Sequence, residues 1–288
     1  MTYSHEEQGK RLGIFAKNRL EIAQLKAAGA KGIGINKFAA STNEEFKSML
    51  LPLDYEKNMP PKIQGHDNPP FNRTKRQVEP ASFDYRSYGW VTPVKNQGNC
   101  GSCWAFAAQA LVESIYLRYY NSYNDLSEQD LVDCAPGYGC SGGWTDRALT
   151  YMATNRTTFE SYYPYKAVQG NCIKNVQKWV NAPYYVYIGG ESSVAYYNYH
   201  YCPVAFYFGV PRAFQYYTGG VFDVADCSSI IGYHEMVIIG YAPSYWIVKN
   251  SWGTGFGDNG YVYYARGKNL CNMQAQLICT YGQLYNGK

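Results

Sequence analysis

Cysteine, histidine, asparagine and glutamine are the side chains in this chain whose types and spacing can do covalent chemistry. The run Gln97-Gly98-Asn99-Cys100-Gly101-Ser102-Cys103 leads into CWAFAAQALVESIYLRYY, a stretch without Gly or Pro that keeps an apolar face. Cys103 therefore sits at a helix N-terminus, where unpaired N–H groups and the macrodipole favour a thiolate over a thiol. A thiolate nucleophile needs a base, and four histidines are available. His5 and His66 precede or lie in a Pro-rich stretch suited to excision, which leaves His200 and His234. His234 has the better context, because HEMVIIGY and YWIVKNSWG read as two strands joined by a Gly-Tyr-Ala-Pro-Ser turn. A hairpin centred near Ala242 sets His234 opposite Asn250. An amide there can bond one ring nitrogen and leave the other facing the thiol, with Trp252 shielding that bond from water. On the residues alone, Cys100-x-x-Cys103 also admits a redox or a zinc reading. The first needs a thioredoxin-like unit and the second another ligand pair, and neither is visible.

The elements that position these groups follow from periodicity. Residues 5–27 place Leu12, Phe15, Leu20, Ile22 and Leu25 among charges at roughly helical spacing, an amphipathic helix. A short helix is predicted at TNEEFKSML, capped by Thr42 or Asn43. Residues 52–80 lose periodicity and collect Pro52, Pro60, Pro61, Gly65, Pro69, Pro70 and Pro80 around Arg73-Thr74-Lys75-Arg76, which reads as a linker with a basic cleavage site. Beyond it a helix-containing half runs to about residue 185, and strand-like Tyr/Val/Phe segments follow.

With 288 residues, 46% hydrophobic and 17% charged, the chain can bury one large or two modest cores. A net charge of +4, with no basic stripe interleaved with aromatics, argues against a nucleic-acid partner. No apolar run is long enough for a membrane span, and the first residues lack the apolar core of a signal peptide. Nine cysteines, with the sequons at Asn72 and Asn155, point instead to an oxidising secretory route, a signal peptide having been removed before this numbering begins.

The motifs together resemble the papain family of cysteine proteases. Cys100-Gly101-Ser102-Cys103-Trp104 matches the signature around the nucleophile, and His234 and Asn250 follow roughly 130 to 150 residues downstream. LSEQDLVDC, GCSGGW, YYPY and VKNSWG extend the likeness over nearly the whole chain. The resemblance implies an α+β fold of two lobes, one helical (about 83–185) and one β-rich and barrel-like (about 186–288). A helical inhibitory prodomain and linker (1–78) would precede this peptidase domain (79–288). It implies Gln97 as the side-chain donor of an oxyanion hole, no metal or cofactor, and a monomer acting on protein or peptide substrates. The endopeptidases of the cathepsin L branch are the best match, secreted or lysosomal, with no nucleic-acid or membrane partner. It also pairs Cys100 with Cys140, Cys134 with Cys172 and Cys227 with Cys271. Cys202 and Cys279 remain, and parity pairs them.

The N-terminal part resembles the family's prodomain. Glu7, Arg11, Phe15, Asn18 and Ile22 fall on one prodomain motif, and Gly34, Asn36 and Phe38 on a second. Lys26 and Ala40 depart from these patterns, Ala40 replacing an acid associated with low-pH sensing, so processing by another protease is expected, after Arg76. Tyr233 and Glu235 flank the histidine where relatives carry smaller residues, which keeps alive a competing reading: a catalytically impaired secreted protein that retains the fold. By the same likeness the S2 pocket is lined by Gly142, Gly143, Trp144, Thr145, Tyr207, Glu235 and Gln276. It is expected to be smaller and more polar than in relatives.

Overall fold

In a computed structural model, which describes residues 4–62, 78–182 and 184–281, the chain begins with helix α1 (His5–Ala27). Ser4 caps it by accepting from the Glu7 N–H. Ile22 is buried and Phe15 and Leu25 are half-buried, but Leu12 and Leu20 are about two-thirds exposed at 68% and 69%. The buried stripe runs instead through Arg11, Ile14, Phe15, Asn18, Ile22 and Leu25. Two of these are polar, so hydrophobicity alone misplaces the face. Arg11 forks onto Glu45 at 2.6 Å to each oxygen and reaches Glu7 at 2.7 Å, while Asn18 donates to the carbonyls of Ala39 and Ser41. Helix α2 (Asn43–Lys47) carries a complete capping box, Thr42 and Glu45 bonding each other's backbone N–H.

The helical lobe holds α3 (Cys103–Tyr120), α4 (Glu128–Cys134) and α5 (Thr145–Asn155). Helix α3 is buried from Cys103 through Ile115, as expected of a helix apolar on most of its surface. The other lobe is built on a sheet of eight strands among the described residues. They are β1 (Phe83–Asp84), β2 (Tyr185–Tyr187), β3 (Val204–Pro211), β4 (Val221–Phe222), β5 (Ile230–Tyr241), β6 (Tyr245–Lys249), β7 (Tyr261–Ala265) and β8 (Leu277–Thr280). The order is β2-β8-β3-β5-β6-β7-β4, with β1 also on β5. Strand β1, though early in the chain, thus belongs to the sheet, and helix α6 (Val194–His200) packs on β5 within the β lobe.

Disulfides join Cys100 to Cys140, Cys134 to Cys172, Cys202 to Cys279 and Cys227 to Cys271. Cys202 precedes β3 and Cys279 lies in β8, two paired elements, so this bond reinforces a hydrogen-bonded ladder. Behind α3 the lobes are tied by a buried ionic cluster. Lys95 pairs with Glu113 and Glu128 at 2.9 Å each, and Lys249 of β6 donates to Thr92, which in turn donates to Glu113. Burial pulls the Lys249 ammonium down to about 8, with Glu113 opposing.

Candidate active site

Cys103 is the first residue of α3 and is fully buried; among the described residues it is the one unbonded cysteine. The Glu235 N–H points at its sulfur at 3.4 Å. His234 lies inside β5 and not at its start, because the strand begins at Ile230, and its Cα partner across the sheet is Phe208. The hairpin register also differs from the predicted one. Val237 pairs with Lys249 and Ile238 with Val248, and a bulge at Ile239 shifts the remainder. Asn250 falls just past β6, its N–H turned to the Gly260 carbonyl, so it reaches His234 through its side chain and not as a cross-strand partner.

That reach is short: His234 Nε2 lies 2.7 Å from Asn250 Oδ1. An amide oxygen can only accept, so Nε2 carries the proton and Nδ1 presents a lone pair. Nδ1 is buried with no hydrogen-bond partner. Trp252 stacks on the imidazole, centroids 4.3 Å apart, and buries the bond to Asn250. Burial pushes the His234 imidazole down to about 4, opposed by Asn250, and pushes the Cys103 thiol up, with the Glu235 charge adding to the effect. In this form both groups are therefore neutral, a thiol and an unprotonated imidazole. The helix N-terminus identified from the sequence is present, yet desolvation outweighs it.

The site is sealed by the segment before the peptidase portion. Gln97 Nε2 donates to the Met49 carbonyl at 2.8 Å and to the Cys100 carbonyl at 2.8 Å, while its oxygen is held by Ser251 Oγ at 2.6 Å. Leu51 exchanges backbone bonds with Tyr233, and residues 52–58 form a turn. The linker predicted to start at residue 52 is thus ordered to residue 62, and its Tyr55 is buried. Upstream, Asn36 donates to the carbonyls of Gln215 and Tyr217, and Phe38 meets Trp252 edge-on. Glu21 pairs with Arg212 at 2.8 Å and accepts from Tyr216 at 2.7 Å. The Ala40 carbonyl accepts from Arg11 Nη1 at 3.1 Å.

Of the residues assigned to a specificity pocket, Trp144, Thr145, Tyr207 and Glu235 gather around Tyr55 or its hydroxyl's partner. Gly143 lies so close to Trp104 that a Cβ would fall 2.3 Å from the indole, and Gly142, at φ +127°, passes beneath Leu51. Gln276 touches the prosegment elsewhere, at Met59 Sδ, 3.9 Å away. Burial raises the Glu235 carboxyl to about 7, with Thr145 and Tyr55 opposing. Sequence reasoning missed Met49, Tyr55 and Ser251. The capping box and the Pro residues marked where the chain bends, but no local signal shows that a lone tyrosine between charged neighbours turns inward. His66, Asn72 and the Arg73–Arg76 cluster lie outside the described residues. His200 sits at the end of α6 beside Glu79 at 3.5 Å, and the structure shows no contact between it and Cys103 or Asn250. No helix among the described residues is long and apolar enough to cross a membrane.

Comparison with known proteins agrees with this geometry. Residues 79–281 match the pattern of the papain family cysteine proteases, and residues 1–46 match the cathepsin propeptide inhibitor domain. Fruit bromelain of Ananas comosus is 38% identical over 91% of this chain and 76% of its own length. A cathepsin L-like proteinase of Fasciola hepatica is 35% identical over 94% and 86%. The solved recombinant stem bromelain precursor superposes with a TM-score of 0.83 at 34% identity, covering 98% of this chain and 94% of that one. The digestive procathepsin L2 of the Tenebrio molitor larval midgut gives 0.82 at 35%, covering 98% and 95%. The chain belongs to the papain family of cysteine proteases and is the zymogen form of a cysteine endopeptidase, with its own propeptide as inhibitor.

Proposed function

We propose that Cys103 is the nucleophile of this endopeptidase, His234 its proton carrier, Asn250 the group that orients the imidazole, and Gln97 an oxyanion donor. The observation that carries this reading is the fixed tautomer of His234. Its Nε2–H is committed to Asn250, and its Nδ1 is an unpartnered buried base on the residue before Glu235, whose N–H meets the one unbonded thiol among the described residues at 3.4 Å. Once the prosegment leaves and water enters, the thiol proton passes to Nδ1. The thiolate then attacks the substrate carbonyl carbon, and the developing oxyanion takes the place on Gln97 Nε2 that the Met49 carbonyl holds in the zymogen. The C–N bond breaks as His234 returns the proton to the leaving amine. Water, giving a proton to His234, then hydrolyses the thioester and restores the thiol.

Cleavage after Arg76 gives a mature start at Gln77 or a few residues later, and the peptidase domain, residues 79–288, is the working enzyme, a monomer. Processing takes place in the secretory route, a reading supported by four disulfides and by exposure of Asn155 at the end of α5. Active-site titration with a thiol-reactive peptide epoxide tests the assignment. One equivalent should inactivate the processed enzyme through Cys103, and Cys103→Ala should be folded and inert. Activity surviving in that variant, or alkylation elsewhere, would overturn it. N-terminal sequencing of secreted material locates the cleavage.

A further inference from the structure

Resting on that catalytic reading, we propose that the enzyme selects tyrosine at P2, the second residue on the amino side of the scissile bond, and that prosegment Tyr55 is a built-in copy of that side chain. Tyr55 is 3% exposed, while its neighbours Asp54 and Glu56 face solvent. Its ring stacks on Trp144 with centroids 6.4 Å apart, meets Tyr207 edge-on at 5.3 Å and lies against Tyr233 at 5.8 Å. The three side chains form an aromatic box. At its end the Tyr55 hydroxyl donates to Glu235 Oε1 at 2.5 Å, and Thr145 donates to the other carboxylate oxygen. The same residue's N–H touches the Cys103 sulfur, so the box opens directly beside the nucleophile.

Three features select a phenol over other side chains. Phenylalanine fills the box equally well but leaves the buried Oε1 of Glu235 without its donor, and a site built to bond a hydroxyl rejects the analogue lacking it. Leucine leaves the far end of the box empty. Arginine brings a two-pronged donor to a carboxylate whose second oxygen Thr145 already occupies, whereas a hydroxyl supplies one bond to the one open oxygen. The residue next to the histidine, larger and acidic here, thus becomes the determinant of specificity.

The test uses mature enzyme whose sites have first been counted with the epoxide, assayed on fluorogenic peptides that differ only in Tyr, Phe, Leu or Arg at P2. kcat/KM for Tyr should exceed that for Phe by at least about tenfold. Glu235→Ala should bring the Tyr-to-Phe ratio near one, and Glu235→Gln, which keeps an acceptor, should retain part of it. Should Glu235→Ala fail to mature, the inhibition constants of peptide aldehydes with Tyr or Phe at P2 repeat the comparison on the wild type. Phe, Leu or Arg equal to or above Tyr in a titratable enzyme overturns the specificity and leaves the catalytic reading standing, as does a ratio that survives Glu235→Ala. Absence of a titratable thiol overturns both.

Discussion

The imidazole of His234 and the indole of Trp252 lie nearly face to face, with planes inclined by 27°. The same indole is met by Phe38 of the prodomain at 5.9 Å and by Phe46 at 5.2 Å. One side chain therefore serves both the catalytic ring and the inhibitor that silences it. Aromatic pairs of this kind contribute about 0.5–1.5 kcal/mol each beyond burial. Trp252→Phe, which shrinks both contacts, should raise the fraction of zymogen that reacts with the epoxide by up to about tenfold and lower kcat in the mature enzyme.

Asn250→Ala removes the acceptor that fixes the His234 tautomer and leaves Nε2 buried without a partner. A misdirected base costs on the order of 10²-fold in rate. The loss should appear in kcat with KM little changed, as steady-state kinetics on one peptide would show.

Thiol reactivity should separate zymogen from enzyme. In the zymogen, burial raises the Cys103 thiol and lowers His234 to about 4, so between these values both groups are uncharged. Each unit by which a thiol is raised lowers its thiolate fraction tenfold. Iodoacetamide should alkylate the zymogen slowly at pH 6, whereas the processed enzyme, with its cleft hydrated, should react at least about 10²-fold faster. Equal rates would contradict the desolvation argument.

Prodomain release should need strong acid. Burial works against the Glu21 charge, but Arg212 and Tyr216 hold its carboxyl below the usual range. A depressed docked-state pKa means that the contribution is fully present above the free carboxylate value, about 4.3, and is lost as pH falls through the lower docked value. Acid is therefore expected to loosen the prodomain only below the free carboxylate value and to leave it docked near pH 5.5, so that maturation falls to another protease. Glu21→Gln, lacking this charge at every pH, should leak activity near neutrality, measured as peptide hydrolysis by intact zymogen.

Glu113 meets Lys95 at 2.9 Å and also accepts from Thr92, which holds the Lys249 ammonium next to Asn250 in the chain. Breaking a buried pair by removing one partner costs about 3–5 kcal/mol. Glu113→Ala should lower the Tm of the mature enzyme accordingly, and Glu113→Gln less so, in thermal denaturation.

What the amino-acid sequence determined by itself was mostly what short-range physics controls. The helix over CWAFAAQALVESIYLRYY places Cys103 at its N-terminus because nothing in that run breaks it. The Thr42–Glu45 capping box starts α2 with bonds that span three residues. The candidate nucleophile, base and amide were legible as residue types at a recognisable spacing, and so were two lobes behind an N-terminal helical segment. Tertiary structure decided the rest. The bulge at Ile239 and the exit of Asn250 from its strand replaced a cross-strand pairing by a side-chain bond, because register depends on how β5 packs between β3 and β6. Leu12 and Leu20 stayed in solvent because Arg11 and Asn18 took the inner face with partners far along the chain. The neutral state of Cys103 and His234, and the seating of Tyr55 on Glu235, arise from desolvation and contacts between residues up to 180 positions apart. Burial is a property of the assembled molecule, and no local pattern encodes it.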